Sequence, residues 1–323
     1  MADTTLTVTL ADYARIMPLV TGAVAPEGVK LNVVTGREGS WPDRASLLSR
    51  ALTDPTVDAG EGSMGQHLAR IGRGDRRFIA LPAFPLRNFT ARDLYVAKGS
   101  SVRTVKDLIG KRVGMYSWTA SGSIWYRHFL RWCGVEADQI QWLIGDVDVP
   151  QISQSGGDFP PHVKSAPAGR ALSEMLIAGE IDALYSPPRP IKYHPADGPI
   201  MRLVADIRGT EARYFAETGV YPPQHLIVMR RDVWERDKSL ARRLTDAFIR
   251  NNEFFERQQR SFPYVTPWHD LENEISAPDY HADGLDATNR RTMELFCEMG
   301  FALGLTPKLV SVDDYFAEYL ESA

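Results

Sequence analysis

The chain has 323 residues, 44% of them hydrophobic and 24% charged, and a net charge of −4. That is the balance of a soluble globular protein with room for two domains, and it argues against nucleic acid or an anionic membrane as the main partner. No apolar run approaches the ~20 residues needed to span a bilayer, and the first ten residues hold neither a basic nor an apolar leader region, so a cytoplasmic location is expected.

Leu6–Leu10 alternates with threonine and predicts a strand, and Ala11–Val20 has helical spacing up to Gly22. Val29–Val34 is a second strand and Asp43–Leu52 a helix. Val57–Ala59 predicts a short strand that runs into a turn at Gly60-Glu61-Gly62-Ser63, followed by a helix over Met64–Ile71. Phe78–Leu81 is a buried strand that exits through Pro82–Arg87, and Leu94–Ala97 is another. The stretch Asp107–Arg127 combines a strand at Lys111–Met115, a polar turn at Tyr116–Ser123 and an amphipathic helix from about Ser123 to about Cys133. Strand, polar turn and helix in this order build ligand sites in α/β sheets, because the free N–H groups of the helix favour an anion such as a carboxylate.

Leu143–Gly145 is a short strand, and Asp146–Pro167, rich in Gly, Pro and Ser, predicts a loop. Leu172–Ala178 is a helix, and Ile181–Tyr185 is a buried strand that turns out through Ser186–Pro190. His225–Arg230 is a strand, and Lys238–Gln259 and Asp286–Leu303 are long amphipathic helices. Strands alternating with helices at this pace predict a mainly parallel α/β sheet. The chain builds a second α/β unit and then returns, which predicts two lobes with crossings near Ala91–Ala97 and Asp206–Tyr221 and a ligand cleft between them.

Several side chains are suited to chemistry. Glu61, flanked by glycines, is either a cleft carboxylate or a solvated turn glutamate. Arg87 and Arg189 both follow prolines at strand exits, where two guanidinium forks would suit a dianion. Arg127 faces either the cleft or an acid of its own lobe. Trp118 can stack on an aromatic ring, whereas Trp125 reads as core. His225, at the start of a strand near a lobe crossing, is the best general acid/base candidate, set against the commoner structural histidine. His269 and His281 lie on loops that could cover a cleft. None of the seven histidines has the helical metal spacing with a following acid, and Cys133 and Cys297 lie too far apart for a zinc pattern, which reads as two reduced thiols. No P-loop run or G-x-S-x-G elbow is present, so neither a nucleotide cofactor nor serine-hydrolase chemistry is expected.

Taken together, Asp58–Ser63, Phe78–Arg87, Asp107–Gly114, Trp125–Arg127, Gly179–Leu184 and His225–Asp232 with Glu235-Arg236 resemble, in order and spacing, the 4,5-dihydroxyphthalate decarboxylase family. The Asp107–Gly114 and Gly179–Leu184 runs are generic to type II binding proteins. The Glu61, Phe84-Pro85-Leu86-Arg87 and His225 stretches are more specific. The resemblance covers roughly residues 5–320 and implies an α/β, two-lobed type II periplasmic-binding-protein-like fold. Lobe one would be 1–94 with 208–323, and lobe two 95–207. It carries functional roles to Glu61, Ser63, Arg87, Arg127 and His225. The chain departs from the family pattern at Thr90 and Ala91, at Tyr116-Ser117-Trp118 and at Ser121, so the ligand-facing loop is rebuilt.

The resemblance implies non-oxidative decarboxylation by ring protonation and loss of carbon dioxide. His225 and Glu61 would move the protons, in an order left open. Arg87 and the 117–123 loop, including Thr119 and Ser121, would hold carboxylates, with Arg189 a weaker candidate and Trp118 flanking the ring. No cofactor is required by the sequence, and a divalent metal on adjacent hydroxyls is the alternative electrophile. The expected partner is a small aromatic carboxylate, and homo-oligomerisation stays open. The competing reading is a binding protein for small aromatic acids, a transporter receptor or sensor, without chemistry.

Overall fold

The computed structural model describes residues 4–39, 41–150, 159–261, 274–275 and 281–322, and His269 lies outside them. The chain divides into two compact units, residues 1–88 with 221–323 and residues 89–220. In chain order the strands are β1 (Thr4–Thr9), β2 (Val29–Val34), β3 (Ala59–Ser63), β4 (Phe78–Leu81), β5 (Leu94–Ala97), β6 (Arg112–Met115), β7 (Gln141–Ile144), β8 (Val163–Ser165), β9 (Ala183–Tyr185), β10 (Ile200–Arg202) and β11 (His225–Arg230).

The first unit is built on a sheet of order β2-β1-β3-β11-β4. β1 runs parallel to β2 and β3, whereas β11 lies antiparallel between β3 and β4. The second unit has the order β10-β5-β9-β6-β7-β8. There β5 is antiparallel to β10 and β9, and the rest are parallel. Each sheet is therefore mainly parallel, as expected, with one strand running against the rest: β11 in the first and β5 in the second. Strand–helix alternation predicts the parallel crossovers within each contiguous run, but it carries no information on how a distant strand returns. β8 also stands inside the stretch expected to be all loop, because its three residues pair only with β7.

A further correction concerns Glu61. The Gly60-Glu61-Gly62-Ser63 run reads as a turn but is strand, β3, and buried throughout. Its glycines serve close packing rather than a bend. A Cβ at Gly60 would lie 2.0 Å from Thr9 Oγ1 and 2.8 Å from the Ala51 Cβ, and one at Gly62 would press on Val228 at 3.3 Å. The central position of β3 thus depends on two missing side chains.

The core of the first unit follows from period-2 and period-3.6 patterning. Leu6 and Val8 of β1 and Leu226–Met229 of β11 are buried. The helix Ser239–Ser261 lays Leu240, Leu244, Ala247, Phe248 and Phe255 inward along one stripe. In the second unit Tyr95, Leu172, Met175, Leu176, Ile181, Leu184 and Ile200 form one cluster. Beside it the Tyr126 and Tyr185 rings stack at 4.1 Å, and the Tyr185 hydroxyl donates to the Gly122 carbonyl.

His67, on the helix Met64–Gly72, is buried edge-on against Tyr315 with ring centroids 5.2 Å apart. Burial, with the nearby Arg76 and Arg70 charges, lowers its pKa to about 3. The unfolded chain takes up this proton near pH 6.5, and the folded chain does so only near 3. Stability contributed by neutral His67 is therefore full above pH 6.5 and is lost as pH falls through that window. The stability difference between the wild type and His67→Phe should shrink by about 2 kcal/mol between pH 7 and pH 5. Urea titrations at the two pH values measure it, and a pH-independent difference would refute it.

Candidate active site

In the first unit the antiparallel register of β11 on β3 places His225 opposite Ser63 and Ile227 opposite Glu61. Residues two apart on a strand share a face, so His225 lies on the face of Glu61, one diagonal step away. The result is a contact of 2.5 Å between His225 Nδ1 and Glu61 Oε1, across 164 residues of sequence. The two are layered. The Glu61 side chain is 2% exposed, while that of His225 is 14% exposed.

A buried carboxylate needs several donors. Parallel pairing of Thr9 with Gly60 brings the loop after β1 alongside Glu61. From that loop the Ala11 N–H donates to Oε2 at 3.0 Å, and the Tyr13 hydroxyl donates to Oε1 at 2.9 Å. Sequence reasoning missed Tyr13. Its signal was its place at the carboxyl end of the first strand of a parallel pair. Ser63, expected to meet substrate, accepts from the Gln66 N–H as N-cap of the helix Met64–Gly72.

Gly60, Gly62 and Gly65 also have G-x-G-x-x-G spacing. The dinucleotide fingerprint places its first glycine in the strand-to-helix turn and its second against a pyrophosphate. Here Gly60 and Gly62 lie inside β3 against Thr9, Ala51 and Val228, with a buried carboxylate between them. The spacing is present without the cradle.

Arg87 does not present an open fork. One terminal nitrogen donates to the Tyr221 carbonyl at 3.2 Å, and the other donates to the Ala282 carbonyl at 3.0 Å and Asn289 Oδ1 at 2.6 Å. Its guanidinium lies 4.8 Å from the Phe84 ring centroid, and burial lowers its pKa to about 10. The expected carboxylate clamp is thus a tie that fastens residues 282–289 to the exit of β4. The same segment is fastened again nearby. Arg15 donates to the carbonyls of Phe84 and His281, Gly284 N–H donates to the Pro82 carbonyl, and Asp283 accepts from Phe84 N–H and from Asn252. His281 therefore sits in a clipped segment, its ring edge-on to Tyr221.

In the second unit the helix Ser121–Trp132 starts at Ala120 with no side-chain cap. Side chains lean toward a helix's N-terminus, so Arg127 reaches back to that start. Its Nε donates to the Ser123 carbonyl at 2.9 Å, and a terminal nitrogen donates to the Trp118 carbonyl at 2.6 Å. The Trp118 ring centroid is 3.8 Å from the Arg127 guanidinium carbon. Trp118 is 4% exposed and also meets the Trp142 and His162 rings edge-on. It is therefore part of the packed base of the turn, not a free face for a ligand ring. Arg127 is buried, and burial lowers its pKa to about 9, with Tyr185 and Tyr116 opposing that shift. Trp125 is core, as expected. Ser121 is buried at the helix start, Thr119 is half-buried, and Arg189 is exposed. Asp93, also in this unit, is a buried carboxyl that burial holds well above the ordinary carboxylate range, though Arg92, Arg202 and Arg189 oppose it.

Among the described residues no three His, Cys, Asp or Glu side chains converge as a metal site, and no helix is long and apolar enough to cross a membrane.

No protein-family model matches the chain. The 4,5-dihydroxyphthalate decarboxylase of Comamonas testosteroni is 28% identical over 252 residues, 77% of this chain and 74% of its own length. The 4,5-dihydroxyphthalate decarboxylase of Pseudomonas putida is 27% identical over 214 residues, 65% of this chain and 81% of its own. The periplasmic aliphatic sulphonate binding protein of Escherichia coli aligns with a TM-score of 0.55 at 13% identity, covering 98% of this chain and 97% of that one. The resemblance read from the motifs thus extends over most of the chain, and the fold is that of the periplasmic binding proteins.

Proposed function

We propose that the chain is a non-oxidative decarboxylase of a hydroxylated aromatic carboxylic acid, of the 4,5-dihydroxyphthalate kind. The observation that carries this reading is the layered Glu61–His225 pair, and the names of the two sequence relatives supply the substrate class. A buried, multiply bonded carboxylate behind a partly exposed imidazole is the arrangement that turns a histidine into an oriented acid/base. With Glu61 ionised, Nδ1 carries its hydrogen toward Oε1, and Nε2 is the atom left for a substrate. His225 transfers the proton, and Glu61 orients it.

Loss of carbon dioxide from an aromatic ring would leave an aryl carbanion, which is too unstable to form directly. A hydroxyl para to the carboxylate avoids it. The phenolate pushes electron density to the carbon bearing the carboxylate, and that carbon takes the proton from His225 Nε2. The resulting dienone breaks its bond to the carboxylate. Carbon dioxide leaves, and the electron pair restores the ring and the phenolate. The net change is one proton in place of one carboxylate, and His225 regains its proton from water.

In the second unit the uncapped start of the helix Ser121–Trp132, with Thr119 and Ser121, suits a carboxylate. Arg127 then acts from below, holding the turn in shape through the Trp118 and Ser123 carbonyls. Arg189 remains as an accessible cation.

The fold likeness to a sulphonate binding protein favours a second reading, ligand binding without chemistry. Carbon dioxide release from a panel of hydroxylated benzoates and phthalates separates the two. The decarboxylase reading expects turnover of at least one para-hydroxylated acid. Stoichiometric binding of such acids with no release of carbon dioxide would establish the alternative.

A further inference from the structure

We infer that Tyr13 is a positioning residue that sets how firmly Glu61 holds His225, an inference that rests on the proposed proton-transfer role of that pair. Oε1 of Glu61 is shared. It accepts the Tyr13 hydroxyl at 2.9 Å and meets His225 Nδ1 at 2.5 Å, while Oε2 is taken by the Ala11 N–H. Two donors on one oxygen compete, because each withdraws the electron density that the other would use. Tyr13 keeps its hydrogen for this purpose, since burial and the adjacent Glu61 charge hold its phenol well above the ordinary range. The remaining charges facing Tyr13 are Arg44, whose guanidinium lies 5.5 Å from the ring centroid, and Asp12, which pairs with Arg44 at 3.0 Å. Neither supplies an alternative donor to Oε1 among the described hydrogen bonds.

Removing the hydroxyl leaves Oε1 entirely to His225. The Nδ1–H···Oε1 bond tightens, the imidazolium gives up its Nε2 proton less readily, and the carboxylate loses one of the contacts that fix its plane. Tyr13→Phe in the full chain is therefore expected to lower kcat about tenfold, the scale of one net hydrogen bond, with KM unchanged. The spectroscopic signature is independent of turnover. The His225 Nδ1 proton resonance, assigned by its absence from His225→Ala, moves downfield in Tyr13→Phe.

An unmoved resonance overturns the inference, as does an unchanged kcat or a loss confined to KM, which would put Tyr13 in contact with substrate. If no acid in the panel is decarboxylated, the functional reading fails, but the resonance still decides the role of Tyr13. Should Tyr13→Phe not fold, site-specific 3-fluorotyrosine at this position, a stronger donor, is expected to move the resonance upfield instead. A resonance that stays put there is equally fatal.

Discussion

If the proposed decarboxylation holds, His225→Ala is expected to lower kcat for carbon dioxide release about 10²–10⁴-fold, the usual worth of a positioned acid/base. The chain should stay folded, because β11 keeps its ladder to β3 and β4 through Leu226–Arg230 and the His225 side chain is partly exposed. Glu61→Gln tests the other half of the pair. The amide conserves volume but places a donor where Ala11 N–H, Tyr13 and His225 all need acceptors. At least one of these contacts becomes donor against donor, so Glu61→Gln should lose both activity and about 1–3 kcal/mol of stability. Steady-state carbon dioxide release beside a denaturant midpoint separates the two effects. A His225→Ala protein that is folded and fully active would remove the mechanism.

Arg87→Met is expected to cost about 2–4 kcal/mol of folding stability. It strands Asn289 Oδ1 and the Tyr221 carbonyl, both buried acceptors served by a charged donor, while the half-buried Ala282 carbonyl keeps only its bond from Asn289 Nδ2. Relief of a buried cation offsets part of this cost, since burial already depresses the Arg87 pKa to about 10. Arg87→Lys should recover little, because one ammonium cannot replace a planar fork with acceptors on both arms. The measurement is the urea midpoint at constant slope. Unchanged stability with a raised KM would instead restore the carboxylate clamp expected from the sequence.

The elements that pattern alone located well are those whose burial is regular. Val29–Val34, Phe78–Leu81, Leu94–Ala97 and His225–Arg230 stand where alternation or short apolar runs place them. β3 was misread because glycine marks both a turn and a close approach of neighbouring chains, and only the position of Thr9 and Ala51 distinguishes them. Glu61 and His225 stood out in the sequence as separate candidates. Their pairing depends on a register between strands 164 residues apart, which no local signal encodes. Tyr13 stands just past the end of β1, but its contact with Glu61 likewise depends on a strand pairing, that of Thr9 with Gly60. Arg87 and Trp118 show the opposite error. A cation or a large ring beside a loop looks available to a ligand, yet each is consumed by carbonyls or neighbouring rings of its own unit.

The antiparallel insertion of β11 between β3 and β4 also dictates an order of assembly. The second unit, residues 89–220, is contiguous and can be completed as the chain emerges from the ribosome. The first unit cannot. Until residue 230 is synthesised, β3 and β4 lack the strand that joins them, and each presents an unpaired edge. Strand pairing across so long a stretch is slow, and exposed edges invite pairing with other chains. The nascent protein is therefore most exposed to aggregation, and most dependent on chaperones, in the interval between translation of β4 and of β11. Glu61 spends that interval without its histidine, so the Glu61–His225 contact is among the last features of the molecule to form.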